Sequence, residues 1–177
     1  MSCVREFRRD DAELELGGRG HGHGNGNGNG HGHGEEDVHF PAMTRLVLHD
    51  LQSDKRAGDL ARLIESLAAA GGRLVVWVAD EGRRQIFDDW LWTFDKGSFV
   101  PHIVWQETMG EVDDPVVLSG VEGNPNRATV LVVGDELPPG DWARGFDEVH
   151  DLIPPGDEGA ERRAWWQRWD DGDEEAR

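Results

Sequence analysis

From residue 44 onward, short apolar runs alternate with stretches in which apolar residues recur at the period of a helix. Residues 45–49 and 74–79 are mostly apolar, which is typical of strands buried on both faces. The stretch between them predicts one amphipathic helix that ends at Gly71-Gly72. Short connections predict a right-handed crossover in which the two strands form a parallel pair. The apolar positions of the helix follow i, i+3, i+4, i+7 spacing: Leu60, Leu63, Ile64 and Leu67.

The rest of the chain continues this alternation. A second helix is predicted from about residue 80 to Leu91, with Ile86 and Trp90 facing inward and Phe87 as a further candidate for that face. A short extended run follows at 103–105. Strands alternating with helices favour an α/β fold, a three-layer α/β sandwich with a Rossmann-like, mostly parallel sheet of about five strands. Three later strands are predicted, of which the second is expected to be central: 115–118, 128–133 and 148–153.

Large aromatic residues are concentrated where the second helix ends. Four fall within ten residues: Trp90, Trp92, Phe94 and Phe99. Because Trp90 and Trp92 point to different sides of a helix, one buried face does not need them all. Gly97 and Pro101 interrupt regular structure on either side of Phe99, which predicts that Phe99 is presented on a turn. Either these aromatics close the core of the sheet, or they form a protein-docking patch.

The C-terminal segment has the charge pattern of a helix. Acidic side chains come early in it and arginines come late, which complements the helix dipole. Trp165 and Trp169 are four residues apart and are predicted to stack. One interpretation is a final amphipathic helix that packs its tryptophans on the sheet. The adjacent Arg162 and Arg163 also predict a local positive spot on an acidic surface, and the two interpretations are compatible.

Residues 1–42 differ from the rest of the chain. Gly-His and Asn-Gly repeats cannot bury enough apolar surface to offset backbone entropy, so this extension is expected to be disordered. It is interpreted either as a lineage-specific tail or as the product of a mis-set translation start. The alternating histidines are weak candidates for Ni²⁺ or Zn²⁺ ligands; no ordered metal site is expected. These candidates are His21, His23, His31 and His33.

The charge restricts the kind of partner. Asp and Glu number 36 against 18 Lys and Arg, a formal net charge of -18, and two of the basic residues are lysine. A surface this acidic repels the phosphate backbone, so contact with DNA is expected only through other proteins. A dense acidic surface with arginine in place of lysine also indicates adaptation to high salt. At molar salt, charges are screened beyond ~3 Å, so binding would depend on apolar contacts.

The cysteine content and the hydropathy of the chain indicate its cellular compartment. A single cysteine, Cys3, excludes a disulfide framework and a multi-thiolate metal site, and it fits a reducing compartment. No apolar run approaches the ~20 residues that cross a bilayer. The protein is expected to be cytoplasmic and to make no contact with membranes.

Residues for catalysis are sparse. The turn at 49–54 contains no glycine and two carboxylates, so it does not suit a phosphate, and the chain has no Gly-Lys-Ser/Thr loop. No serine lies in a nucleophile-elbow context. One alternative stays open: a small α/β nucleotide- or metal-binding enzyme that holds a divalent cation through Asp50 and Asp80 at the strand ends.

The chain resembles the chi subunit of the bacterial DNA polymerase III clamp-loader assembly from about Met43 to about Asp170. The most specific elements are Leu91-Trp92 and the run Ser98-Phe99-Val100-Pro101-His102, supported by an Asp-Leu-Ile-Pro strand end and the tryptophan-rich last helix. The resemblance implies a chi-like α/β domain at 43–170 between the N-terminal extension and an acidic tail at 171–177. It also implies an accessory subunit with no active site or cofactor.

The resemblance further implies two partners. Trp92 and Phe99, with Pro101 beside them, match the patch that holds the small psi subunit, which tethers chi to the clamp loader. A second site binds the acidic C-terminal tail of single-stranded DNA-binding protein (SSB), which ends in an apolar residue with a free carboxylate. By position, Arg163 matches the arginine of that site, and a one-residue slip would select Arg162. The apolar slot is assigned to Ile153 and Trp166, and a monomer or a 1:1 heterodimer with psi is expected.

Overall fold

The structure is a computed structural model that describes residues 4–6, 43–51, 56–93 and 99–172. The strands are β1 (Val4–Glu6), β2 (Arg45–Asp50), β3 (Leu74–Trp77), β4 (His102–Val104), β5 (Val116–Ser119), β6 (Val130–Val133) and β7 (Glu148–Ile153). The helices are α1 (Arg56–Ala69), α2 (Glu81–Leu91), α3 (Gly140–Ala143) and α4 (Asp157–Asp170), with a 3-10 turn at Glu107–Met109. This alternation of strands and helices confirms the α/β class.

The strands of the described residues form one sheet in the order β1-β2-β7-β6-β3-β5-β4. From β2 to β4 every neighbouring pair is parallel, and β1 pairs antiparallel with β2. β6 is the central strand, as predicted. The sheet has seven strands where the sequence indicated about five. β1 was not predicted, and β4 corresponds to the short extended run predicted at 103–105; each has three residues, which is too short for a periodic signal.

The expected pairing of β2 with β3 is wrong. β7 and β6 lie between these two strands: β2 places Leu46 opposite Val149, and β3 places Val75 opposite Leu131. An apolar run shows that a strand is buried but not which strand lies beside it. The crossover through α1 therefore passes over two strand positions. Two strands from the second half of the chain occupy them.

Two layers of core lie on opposite faces of the sheet. Along β3, Leu74 and Val76 pack toward α1 and α2, while Val75 and Trp77 pack toward α3 and α4. The alternation follows from the two-residue repeat of a strand, and both faces are apolar because both are covered by helices. The three-layer sandwich is therefore confirmed.

The second helix is rotated relative to the sequence prediction. Its N-cap is Asp80, whose side chain accepts a hydrogen bond from the backbone N of Arg83 at 2.7 Å. The buried residues are Phe87 and Leu91, one turn apart. Ile86 is 70 % exposed, so the prediction that it faces inward is wrong. Its position is about 100° around the helix from Phe87, which takes the inward place.

The two ends of the chain are described only in part. Within 1–42 the structure describes Val4–Glu6, which forms a strand beside β2 where disorder was expected. The remainder of that segment, with its four histidine candidates, lies outside the described residues, as do residues 173–177 of the acidic tail. No described helix has the length and apolar character needed to span a membrane.

Candidate protein-interaction surfaces

Two aromatic side chains meet at the surface beyond the end of α2. Trp92 caps the C-terminus of that helix and is 52 % exposed, and Phe99 precedes β4 and is 71 % exposed. Their ring centroids are 5.6 Å apart, with planes inclined at 46°. Pro101 is exposed as well. We refer to Trp92, Phe99 and Pro101 as the aromatic patch.

The other aromatics of this stretch do not join the patch. Trp90 is half-buried and packs on Phe87, at 6.1 Å between ring centroids, so it contributes to the core layer under α2. Phe94 and the predicted turn at Gly97 lie outside the described residues. The core interpretation therefore holds for Trp90, whereas Trp92 and Phe99 remain exposed.

A buried histidine lies beneath the patch. The side chain of His102 has no solvent exposure, and its ring centroid is 4.5 Å from that of Trp92. Its Nδ1 is 2.7 Å from the Val100 carbonyl oxygen. Its Nε2 is 3.1 Å from Asp88 Oδ1, without the alignment of a hydrogen bond. His102 thus contacts α2 and the segment that carries Phe99.

The end of β7 contains a buried carboxylate, Asp151. It accepts hydrogen bonds from Arg162 Nε at 2.5 Å and Nη2 at 2.9 Å, from Trp166 Nε1 at 2.6 Å and from Arg56 Nη2 at 3.1 Å. Burial lowers the pKa of the Arg56 guanidinium below its ordinary value, and the negative charge of Asp151 opposes that shift. Asp151 and its donors tie α1, β7 and α4 together.

Most residues assigned by resemblance to the SSB-tail site are interior. Ile153 and Trp166 are fully buried in the core layer under α4, and Arg162 is 8 % exposed and committed to Asp151. A peptide at the surface cannot reach these three side chains in this conformation. Arg163 is different: its side chain is one-third exposed and forms an ion pair with Asp50 at the end of β2. Of the two arginines that the sequence left as alternatives, Arg162 is therefore buried and Arg163 is partly exposed.

A groove that the sequence did not predict lies between α1 and α2. It has a volume of about 400 Å³ and apolar walls that include Leu60, Ile86, Phe87 and Trp90. Charges of both signs stand at its edge, from Arg83 and Glu158 among others. The i, i+4 spacing of Ile86 and Trp90 could have indicated this groove, but the sequence prediction placed both side chains in the core.

The acidic strand ends do not assemble a cation site. Asp80 caps α2, and Asp50 pairs with Arg163. Since β2 and β3 are separated by two strands, their ends are about 14 Å apart at the usual strand spacing, too far to share one ion. Among the residues that the structure describes, no group of three or more histidine, cysteine, aspartate or glutamate side chains is placed to hold a metal.

A family model for the DNA polymerase III chi subunit, HolC, matches residues 43–175, about three quarters of the chain. The chain belongs to the chi subunit family. Among curated proteins, none matches it. Chi is an accessory subunit of DNA polymerase III, so this chi chain takes part in DNA replication. The resemblance inferred from Leu91-Trp92 and the Ser98 to His102 run is confirmed.

Proposed function

We propose that this chi subunit is a non-catalytic linker in the cytoplasm. In this proposal the aromatic patch binds the psi subunit of the clamp loader, and Arg163 binds the acidic C-terminal tail of SSB. DNA is contacted only through these partners, since a chain with a formal net charge of -18 repels the phosphate backbone. The protein acts as a monomer or as a 1:1 heterodimer with psi.

The proposal of a psi site is supported chiefly by the exposure of Trp92 and Phe99 on one surface. Neighbouring large aromatics in water are uncommon on a monomer unless they bind something. Each has few rotatable bonds, so burial in an interface costs little side-chain entropy, and burial of one such ring contributes about 1.5–3 kcal/mol. Pro101 beside them carries no backbone N–H that a partner would have to satisfy.

The proposal of an SSB-tail site is supported by the position of Arg163. A guanidinium binds a terminal carboxylate through two parallel hydrogen bonds, and this one is partly exposed midway along α4. The tail carboxylate takes the place of Asp50 as its partner. Arg162 acts from within: through Asp151 it holds the first half of α4 against β7 and so fixes the backbone from which Arg163 projects.

The psi site is tested by calorimetric titration of the full chain with the psi polypeptide of the same organism. The double variant Trp92→Ala/Phe99→Ala is expected to bind at least 100-fold more weakly, because two central aromatics are lost. Ile86→Ala is the control, since it removes an exposed apolar side chain that lines the groove and is not part of the aromatic patch. If the double variant binds psi as tightly as the parent, the docking assignment is wrong.

The tail site is tested by fluorescence titration with a short acidic peptide that ends in Pro-Phe and a free carboxylate. Arg163→Ala is expected to weaken binding about tenfold or more, because a charge-assisted bidentate contact is lost. Arg83→Ala removes an exposed arginine from α2 and is expected to leave binding unchanged. Equal losses in both variants would show non-specific attraction to positive charge instead of a site.

A further inference from the structure

His102 connects the two halves of the aromatic patch without being part of its surface. The Val100 carbonyl can only accept a hydrogen bond, so the His102 nitrogen 2.7 Å away, Nδ1, carries a proton and donates it. Val100 directly follows Phe99 and is itself buried, so this bond holds the backbone from which the Phe99 ring projects. The imidazole is therefore attached to the Phe99 side of the patch.

The same imidazole is attached to the Trp92 side. Its ring lies against the indole of Trp92 at 4.5 Å between centroids, inclined by 38°. Its other nitrogen, Nε2, lies 3.1 Å from Asp88 Oδ1 without forming a hydrogen bond, so the stacking on the indole is the contact that joins the imidazole to this side. Among the described residues, the rings in contact with Trp92 are those of Phe99 and His102. Half of the indole is in water, so His102 supplies the buried support that fixes its orientation.

We propose that His102 is a positioning residue for the docking surface: it fixes the separation and inclination of the Trp92 and Phe99 rings before a partner arrives. The inference rests on the proposed psi site and deepens it. A surface whose rings are already ordered loses less side-chain entropy on binding than one whose rings must be ordered by the partner. Affinity for psi consequently depends on a residue that psi does not touch.

The proposal is tested by titrating the full chain with the psi polypeptide. His102→Phe keeps an aromatic ring beneath Trp92 but removes the Nδ1 hydrogen bond to the Val100 carbonyl, and it is expected to weaken binding about tenfold. His102→Asn places an amide donor near the position of Nδ1 and is expected to recover part of that loss. His49→Phe is the control, because it alters a histidine outside the patch.

A second measurement separates this proposal from the psi assignment. The chain has eight tryptophans, so the emission of Trp92 is obtained as the difference between the parent and Trp92→Phe proteins without psi. In the His102→Phe background, this difference signal is expected to have lower anisotropy, because the Trp92 ring moves more freely.

The outcomes are distinguishable. Unchanged anisotropy in His102→Phe, or unchanged psi affinity of this variant when the parent binds psi, overturns the positioning role. If the parent protein does not bind psi but the Trp92 anisotropy still falls in His102→Phe, the psi assignment fails and the positioning of Trp92 stands.

Discussion

Trp166 donates a hydrogen bond from its indole Nε1 to Asp151 Oδ2 at 2.6 Å, and neither side chain is exposed to solvent. The indole is one of three donor groups around a single carboxylate, together with the guanidinium groups of Arg162 and Arg56. The last helix is thus joined to the last strand by charge as well as by apolar packing. Removal of one member leaves the others buried without a full set of partners.

Substitution of Asp151 is expected to be strongly destabilising. Asp151→Asn removes the negative charge but keeps the shape, so Arg162 is left buried and unpaired and the free energy of unfolding is expected to fall by about 3–5 kcal/mol. Urea denaturation followed by circular dichroism measures this. Asp113→Asn, the same change at an exposed position, is expected to lie within about 0.5 kcal/mol of the parent. A loss below 1 kcal/mol in Asp151→Asn would contradict the importance of the ion pairs.

A pair of histidines on neighbouring strands is expected to make stability fall in mild acid. His150 Nε2 lies 3.1 Å from a Glu148 oxygen, which accepts its proton, so His150 Nδ1 is the acceptor for His49 Nε2 at 3.0 Å. Burial, followed by the nearby His150, lowers the pKa of His49 to about 4. Burial likewise lowers the pKa of His150.

In the unfolded chain both histidines bind a proton near pH 6.5, which is above the pKa of His49 in the folded protein. Since the folded state resists protonation, its stability is fully present above pH 6.5 and is lost as the pH falls toward 4. Unfolding free energies measured at intervals from pH 7.5 to 4.5 should show this slope. His49→Gln, which keeps a donor toward His150, is expected to give a shallower slope, and an identical slope would exclude His49 as its source.

Two glycines are expected to respond to alanine in opposite directions. A Cβ on Gly159 would overlap the Pro154 carbonyl oxygen, so Gly159→Ala is expected to cost about 2–3 kcal/mol as α4 is pushed away from β7. Gly58, inside α1, would place its Cβ in ordinary contact with Trp90, and Gly58→Ala is expected to stabilise by about 0.5–1 kcal/mol. Thermal unfolding compares the two; a stabilised Gly159→Ala would show that α4 does not approach this closely.

High salt is expected to stabilise the protein. The formal net charge of -18 produces repulsion between carboxylates in the compact state, and raising the salt from 0.1 M to 1 M shortens the screening distance from about 10 Å to about 3 Å. The melting temperature should therefore be higher in molar NaCl than at low NaCl concentration. Equal melting temperatures in both would count against adaptation to salt.

Strands and helices that have a clear pattern of apolar residues were predicted correctly, because that pattern depends only on residues close together in the chain. A mostly apolar run identified β2, the helical repeat identified α1 and the two-residue repeat identified β7. The Trp92 and Phe99 motif led to the right family. The α1/α2 groove was not predicted, since it depends on how two helices distant in sequence approach each other.

By itself, the sequence determined the α/β class, the central position of β6 and the packing of tryptophans from the last helix on the sheet, because side-chain periodicity and β-branched content reflect local burial. Tertiary structure alone decided that β7 and β6 separate β2 from β3, that Phe87 displaces Ile86 from the core, and that Arg162 points inward while Arg163 stays at the surface. The reason is physical: a strand's neighbour, a helix's rotation and a charge's partner depend on contacts between segments distant in the chain. No stretch of sequence contains both members of such a contact.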